Sequence, residues 1–91
     1  MLMHERYEEA ILLALRLRGG RAWRQDVLRF VSWYLRPEGD WEKATDNARY
    51  RLVYKGKIVP CRRREQRSWW ELTDRTRQLP SASIYLGEER P

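Results

Sequence analysis

Ile58-Val59-Pro60-Cys61-Arg62-Arg63-Arg64-Glu65-Gln66-Arg67-Ser68-Trp69-Trp70-Glu71-Leu72 is the stretch on which the fold turns. Two short apolar or aromatic runs, residues 58–61 and 68–72, flank a segment that carries four arginines. Such runs on either side of a polar break predict two strands joined as a β-hairpin. The break around Arg64-Glu65-Gln66 has no Asn-Gly pair, so several turn types fit. Strand alternation puts Trp70 and Leu72 on one side and Trp69 on the other. Trp70 is therefore expected to anchor the hairpin in the core. Trp69 is expected to face outward, stacked either on a base or sugar of a ligand or on Arg67.

Upstream of the hairpin, residues 41–55 read as a helix. Trp41, Ala44, Ala48 and Leu52 fall on one side at helical spacing, Asp40 suits the N-cap, and Gly56 supplies the stop. The opposite side then shows Lys43, Asp46, Asn47, Tyr50, Val53 and Tyr54, with Arg49 and Arg51 on the flanks. Residues 24–35 form another helix through Val27, Leu28, Val31 and Leu35, closed by Pro37 and Gly39. Before it, Arg21-Ala22-Trp23 is a short extended link. The first helix, residues 5–18, is marked by Tyr7, Ile11, Ala14 and Leu15, widened by Leu12. Glu5, Glu8 and Glu9 near its start and Arg16 and Arg18 near its end suit the helix dipole, and Gly19-Gly20 ends it.

Downstream, Thr73 or Asp74 is placed to cap a short helical turn. A linker at residues 80–83 leads to an apolar island, Ile84-Tyr85-Leu86, so the chain divides into one domain (1–79) and a tail (80–91). The order helix, short strand, helix, helix, strand, strand predicts an α+β winged helix-turn-helix. That architecture has three helices and a two- to three-stranded antiparallel wing. A plain three-helix bundle with an arginine loop is the structural alternative, but it gives Trp69-Trp70 no role.

Ninety-one residues, 42% hydrophobic and 35% charged, suit one small folded domain with a heavily charged surface. The net charge of +6 is unevenly spread. Residues 43–77 hold eleven basic and four acidic side chains, while the rest of the chain holds eight and nine. A concentrated surplus of this kind points to a polyanion. Sixteen of the nineteen cations are Arg, whose planar fork binds phosphate or guanine in a bidentate way. Genome composition or a hot habitat explains the Arg bias equally well, but not its clustering.

The lone Cys61 precludes an internal disulfide and fits a reducing, cytoplasmic or nucleoid-associated setting. No run approaches membrane-spanning length and none reads as a signal peptide. The single histidine, His4, is near the N-terminus, the carboxylates have no metal-like spacing, and there is no Gly-rich phosphate loop. No enzyme, metal site or cofactor is expected. Cys61 lies beside three arginines that would favour its thiolate, but no histidine base is near it in sequence.

Double-stranded DNA is the expected partner. Asn47 suits a bidentate contact with adenine, Arg49 or Arg51 with guanine, and Lys43 and Tyr50 with phosphate. Asp46 either accepts from cytosine, orients an arginine, or opposes insertion. Lys55, Lys57, Arg62, Arg63, Arg64, Arg67 and Trp69 complete the expected surface, the four hairpin arginines reaching flanking phosphates or a narrow minor groove. Arg21, Arg24 and Gln25, where the second helix starts, form a secondary backbone contact. A solvated helix face with ordinary charge is the plainer reading of both sets.

Phe30, Trp33 and Tyr34 exceed what one core stripe needs. They suit a homodimer contact, as does the tail segment Ile84-Tyr85-Leu86, unless Trp33 covers the first helix or the tail. Those residues also favour a competing class, a winged-helix module that binds protein as an adaptor. Structured RNA is a third partner class.

The second half resembles the N-terminal domain of Mrr-type restriction proteins and other archaeal and phage winged-helix regulators. Leu52, Gly56 and Ile58 match the end of that family's third helix, and Trp70, Leu72 and Thr73 match the close of its wing. The likeness spans residues 41–77, and Thr76 departs from it where the family has Gly. It implies a winged helix and DNA binding, and with no nuclease segment in the chain it does not imply restriction activity. Z-form-specific winged helices are similar over Tyr50, Leu52, Lys55, Gly56 and Lys57. Their asparagine, however, falls where Asp46 stands here, and their Pro-Pro-x-Trp wing is missing.

Overall fold

A computed structural model describes residues 3–60, 62–64 and 67–73, with side chains for residues 5–60 and 68–73. Cys61, Glu65, Gln66 and the tail with Ile84, Tyr85 and Leu86 lie outside the described residues, as do Asp74 and Thr76. The chain is α+β. It runs α1 (Met3–Leu17), β1 (Arg21–Trp23), α2 (Arg24–Leu35), α3 (Trp41–Tyr54), β2 (Arg62–Arg64) and β3 (Arg67–Glu71). The strands form one antiparallel sheet in the order β1-β3-β2.

Helix α1 is the centre of the core, because it alone packs extensively on both other helices. Its buried stripe is the expected one, Tyr7, Ile11, Leu12, Ala14 and Leu15, joined by Ala10. Val27 and Val31 of α2, Ala48 and Leu52 of α3, and Ala22, Ile58, Trp70 and Leu72 from the sheet side close around it. Trp70 is 1% exposed and is the largest fully buried side chain. A core this small has little else of comparable volume to fix the sheet onto the helices.

Two helix ends set the path of the chain. After α3, Gly56 adopts φ +75°, its N–H donates to the Val53 carbonyl, and the Lys57 N–H donates to the Leu52 carbonyl at 2.9 Å. This left-handed stop satisfies the last carbonyls of α3 and turns the chain straight into the sheet. Gly19 and Gly20 do the same after α1, with the Gly20 N–H donating to the Leu15 carbonyl at 2.7 Å. The start of α3 differs from expectation. Asp40 occupies the N-cap but makes no side-chain cap hydrogen bond, and only its carbonyl is engaged, by the Ala44 N–H.

The hairpin also departs from the sequence reading. Residues 58–60, expected with Cys61 to be its first strand, do not form one. Ile58 makes a single bridge to Leu72 and the Val59 N–H donates to the Glu71 carbonyl, and then regular pairing lapses at Pro60, which has no N–H to give. Pairing resumes with Arg62 opposite Trp69. Three residues thus stand against two between these points, the count of a bulge. Arg62, Arg63 and Arg64 consequently form the edge strand itself rather than the turn. The short helical turn expected after Thr73 or Asp74 lies outside the described residues, but Thr73 itself is placed. Its hydroxyl donates to the Gly56 carbonyl at 2.9 Å and its N–H to the Lys57 carbonyl, which ties the end of the sheet to the end of α3.

Candidate nucleic-acid interface

The buried side of α3 is centred on Thr45, Ala48, Arg49 and Leu52, displaced from the side marked by Trp41 and Ala44. Thr45 can be buried because its hydroxyl donates to the Trp41 carbonyl at 2.8 Å. This rotation turns Val53 against the core, whereas the sequence pattern puts it on the open side. The solvent face that results is a single ridge of Lys43, Asn47, Tyr50 and Tyr54, spaced i, i+4, i+7 and i+11. Tyr50 is 64% exposed and Tyr54 93%. Tyr54 belongs to this ridge although the expected contact set omits it. Its exposure follows from the same helical spacing.

Most of the cations expected to flank that face are engaged elsewhere. Arg49 is not on an exposed flank but is 9% exposed, its guanidinium 4.3 Å from the Tyr50 ring centre and 5.6 Å from that of Trp70. An arginine held there has no free reach into a groove to read guanine. On the other flank, the Arg51 Nε donates to Glu8 at 3.0 Å and the Lys55 ammonium to the other Glu8 oxygen at 2.6 Å. Glu8 is a buried residue of α1. Burial opposes its charge, but the hydrogen bonds and positive charges of Lys55 and Arg51 outweigh this and hold its carboxyl below the ordinary glutamate range. Sequence reasoning assigned Glu8 only to the helix dipole. The missed signal is its position four residues before Leu12, at the margin of the apolar stripe.

Asp46 takes the role of orienting an arginine. It accepts a bidentate pair from Arg24, Nε at 3.1 Å and Nη2 at 2.8 Å. Arg24 is the first residue of α2, so this contact joins the helix assigned a phosphate contact to the helix assigned base reading. Gln25 is exposed beside it. Lys43 and Lys57 are exposed and have no ion-pair partner among the described residues.

On the outer face of the sheet, Trp23 of β1 pairs with Trp69 of β3, their rings edge to face at 4.4 Å. The Arg21 guanidinium lies 4.7 Å from the Trp69 ring. Trp69 therefore faces outward as expected, with Arg21 as its described cationic neighbour. The side chain of Arg67, the expected neighbour, lies outside the described residues, as do those of Arg62, Arg63 and Arg64. Their backbone is described: Arg62 stands opposite Trp69 and Arg64 opposite Arg67, in the hairpin that follows α3.

A second exposed feature lies on α2. Trp33 is 71% exposed, so it is not buried against α1, and its expected relation to the tail lies outside the described residues; Tyr34 is 42% exposed. Phe30 is half-buried against the core and stacks on Tyr34 at 5.3 Å. Among the described residues there is no group of three or more His, Cys, Asp or Glu side chains arranged to hold a metal. No described helix is long and apolar enough to cross a membrane. No family model, curated protein or solved structure matches the chain.

Proposed function

We propose that the protein is a non-enzymatic double-stranded DNA-binding protein of the winged helix-turn-helix class, a small transcriptional regulator. In this reading α3 enters the major groove through Lys43, Asn47, Tyr50 and Tyr54, and β2 and β3 are the wing whose arginines meet phosphate or a narrow minor groove. The observation that carries it is the pairing of that exposed α3 ridge with an arginine-built hairpin reached through one glycine turn. The element order and the β1-β3-β2 sheet support the fold assignment. Fluorescence anisotropy with duplex DNA across a salt series tests it. Binding should weaken steeply with salt, whereas near-absent binding even at low salt would rule it out.

A second reading, an adaptor that docks on protein, is favoured by one observation: the exposed Trp33 and Tyr34 on α2, on a different helix from the α3 ridge. It predicts weak salt dependence and no duplex affinity.

A further inference from the structure

An open cavity of about 410 Å³ lies where all three helices meet, between the start of α1, the end of α2 and the start of α3. Its volume falls in the range that small-molecule sites occupy, roughly 300–1,000 Å³. Leu35, Pro37 and the half-buried Trp41 give it apolar walls. Tyr7 also lines it, a residue only 6% exposed whose hydroxyl has no hydrogen-bond partner among the described residues. A polar group on so buried a side chain normally has one. Around the rim stand two exposed cations, Arg6 and Arg36, and two exposed carboxylates, Glu38 and Asp40. Among the described residues no ion pair joins any of the four to another or to a further side chain. Opposite charges on one small rim are thus kept apart. Asp40 holds the N-cap position of α3, yet its carboxylate makes no cap bond. Arg36 closes α2 at φ 48° and ψ 55°, the left-handed region that glycine adopts at far lower cost. An arginine kept there against its backbone preference is the kind of outlier found where a side chain serves a ligand.

We propose that this cavity binds a free aromatic α-amino acid. Two charges of each sign on the rim match a zwitterion, its carboxylate towards Arg6 and Arg36 and its ammonium towards Glu38 and Asp40. An aromatic body suits walls of Leu35, Pro37 and Trp41, and the Tyr7 hydroxyl supplies one further hydrogen bond. A simple anion or a simple cation would leave one pair of rim charges unanswered. The site goes beyond the DNA reading and does not depend on it, because none of its charges belongs to the α3 ridge or the hairpin. Occupation would tie the start of α3 to α1 and to the end of α2, which is the position of an effector.

The test is a titration of the isotope-labelled full chain with L-phenylalanine, followed by NMR in the absence of DNA. The Trp41 indole N–H and the backbone amides of Arg36, Glu38 and Trp41 should shift and saturate. Phenethylamine, which lacks the carboxylate, and hydrocinnamate, which lacks the ammonium, should each bind at least about tenfold more weakly, the loss expected for a charge-assisted hydrogen bond. Arg36→Gly and Asp40→Asn should each weaken L-phenylalanine by a similar factor. Both variants should keep the wild-type Tm or exceed it, because glycine relieves the left-handed residue and the Asp40 carboxylate makes no cap bond. The proposal is overturned if L-phenylalanine gives no saturable shift, if the shifts lie at other residues, or if either one-charge analogue binds as tightly. Full affinity in both variants would equally remove it.

Discussion

Arg24 and Asp46 are joined by two parallel hydrogen bonds across 22 residues of sequence, which locks the first turn of α2 to the middle of α3. The pair sits between α2 and α3, where it fixes the angle at which the two helices meet. It also neutralises a negative charge beside the ridge of Lys43, Asn47, Tyr50 and Tyr54. Both side chains are about one-third exposed, so solvent screens the attraction and its contribution to stability is small, about 0.5–1 kcal/mol. Its larger effect is on the electrostatics of the ridge.

Replacing Asp46 with Ala therefore has opposite effects on folding and on binding. Stability in urea should fall by no more than about 1 kcal/mol. Within the proposed DNA complex, duplex affinity at low salt should rise, since a carboxylate is removed from the face assigned to DNA and Arg24 loses its two bonds to Asp46. A fall in affinity confined to one preferred sequence would instead mean that Asp46 reads or aligns a base contact.

Glu8 makes the fold sensitive to acid. Its carboxyl is held below the ordinary glutamate value, so it binds its proton less readily in the folded than in the unfolded chain. Its contribution is complete above the unfolded-state value of about 4.3 and is lost as pH falls through the lower folded value. Thermal melts should show a drop in Tm below about pH 4 that is smaller in Glu8→Gln. At pH 7 that variant should be the less stable protein, with Arg51 and Lys55 left without their carboxylate. Parallel acid profiles of wild type and variant would remove Glu8 as the cause.

Within the proposed DNA complex, Asn47 and the hairpin arginines should fail in different ways. Replacing Arg62, Arg63 and Arg64 with Ala should reduce the salt slope by about 2.7 if each meets one phosphate, with equal loss on preferred and random duplexes. Asn47→Ala should barely change the slope but should narrow the gap between preferred and random sites by about 1–3 kcal/mol. Anisotropy titrations on both duplexes separate the two. An Asn47 variant that weakens all sequences alike would refute the base-reading role of the α3 ridge.

The helices were legible because periodicity and glycine stops act locally. Ile11, Leu15, Val31 and Leu52 each mark a stripe that one helix must bury, and Gly19-Gly20 and Gly56 mark where it ends. Trp70 was legible by strand alternation. What the sequence did not reveal depends on pairing between distant elements. The bulge at Pro60 moves the arginines from turn to strand only because Leu72 fixes Ile58 first. The inward turn of Arg49 requires the Trp70 ring, 21 positions away, to be there to receive it. Glu8 drawing Arg51 and Lys55 away from the α3 ridge depends on the docking of α1 against α3, and the helical wheel of α3 alone carries no trace of it.

Trp33 supplies a test that concerns neither α3 nor the hairpin. It borders an open groove of about 290 Å³ between α1 and α2, whose apolar lining includes Leu17, Val27 and Phe30. A patch that holds both a projecting indole and a shallow groove is suited to meet its own copy across a twofold axis, indole to groove in both directions. A dimer formed there would present two α3 ridges and would favour a palindromic site. Sedimentation at micromolar concentration should then show a dimer, and Trp33→Arg should give a monomer with little change in Tm, because the indole is 71% exposed and contributes little to the core. The monomeric variant should lose its preference for a paired over a single half-site while keeping affinity for one half-site. A wild type that stays monomeric across that range removes the twofold contact and leaves the patch to a protein of different sequence, the outcome that the adaptor reading predicts.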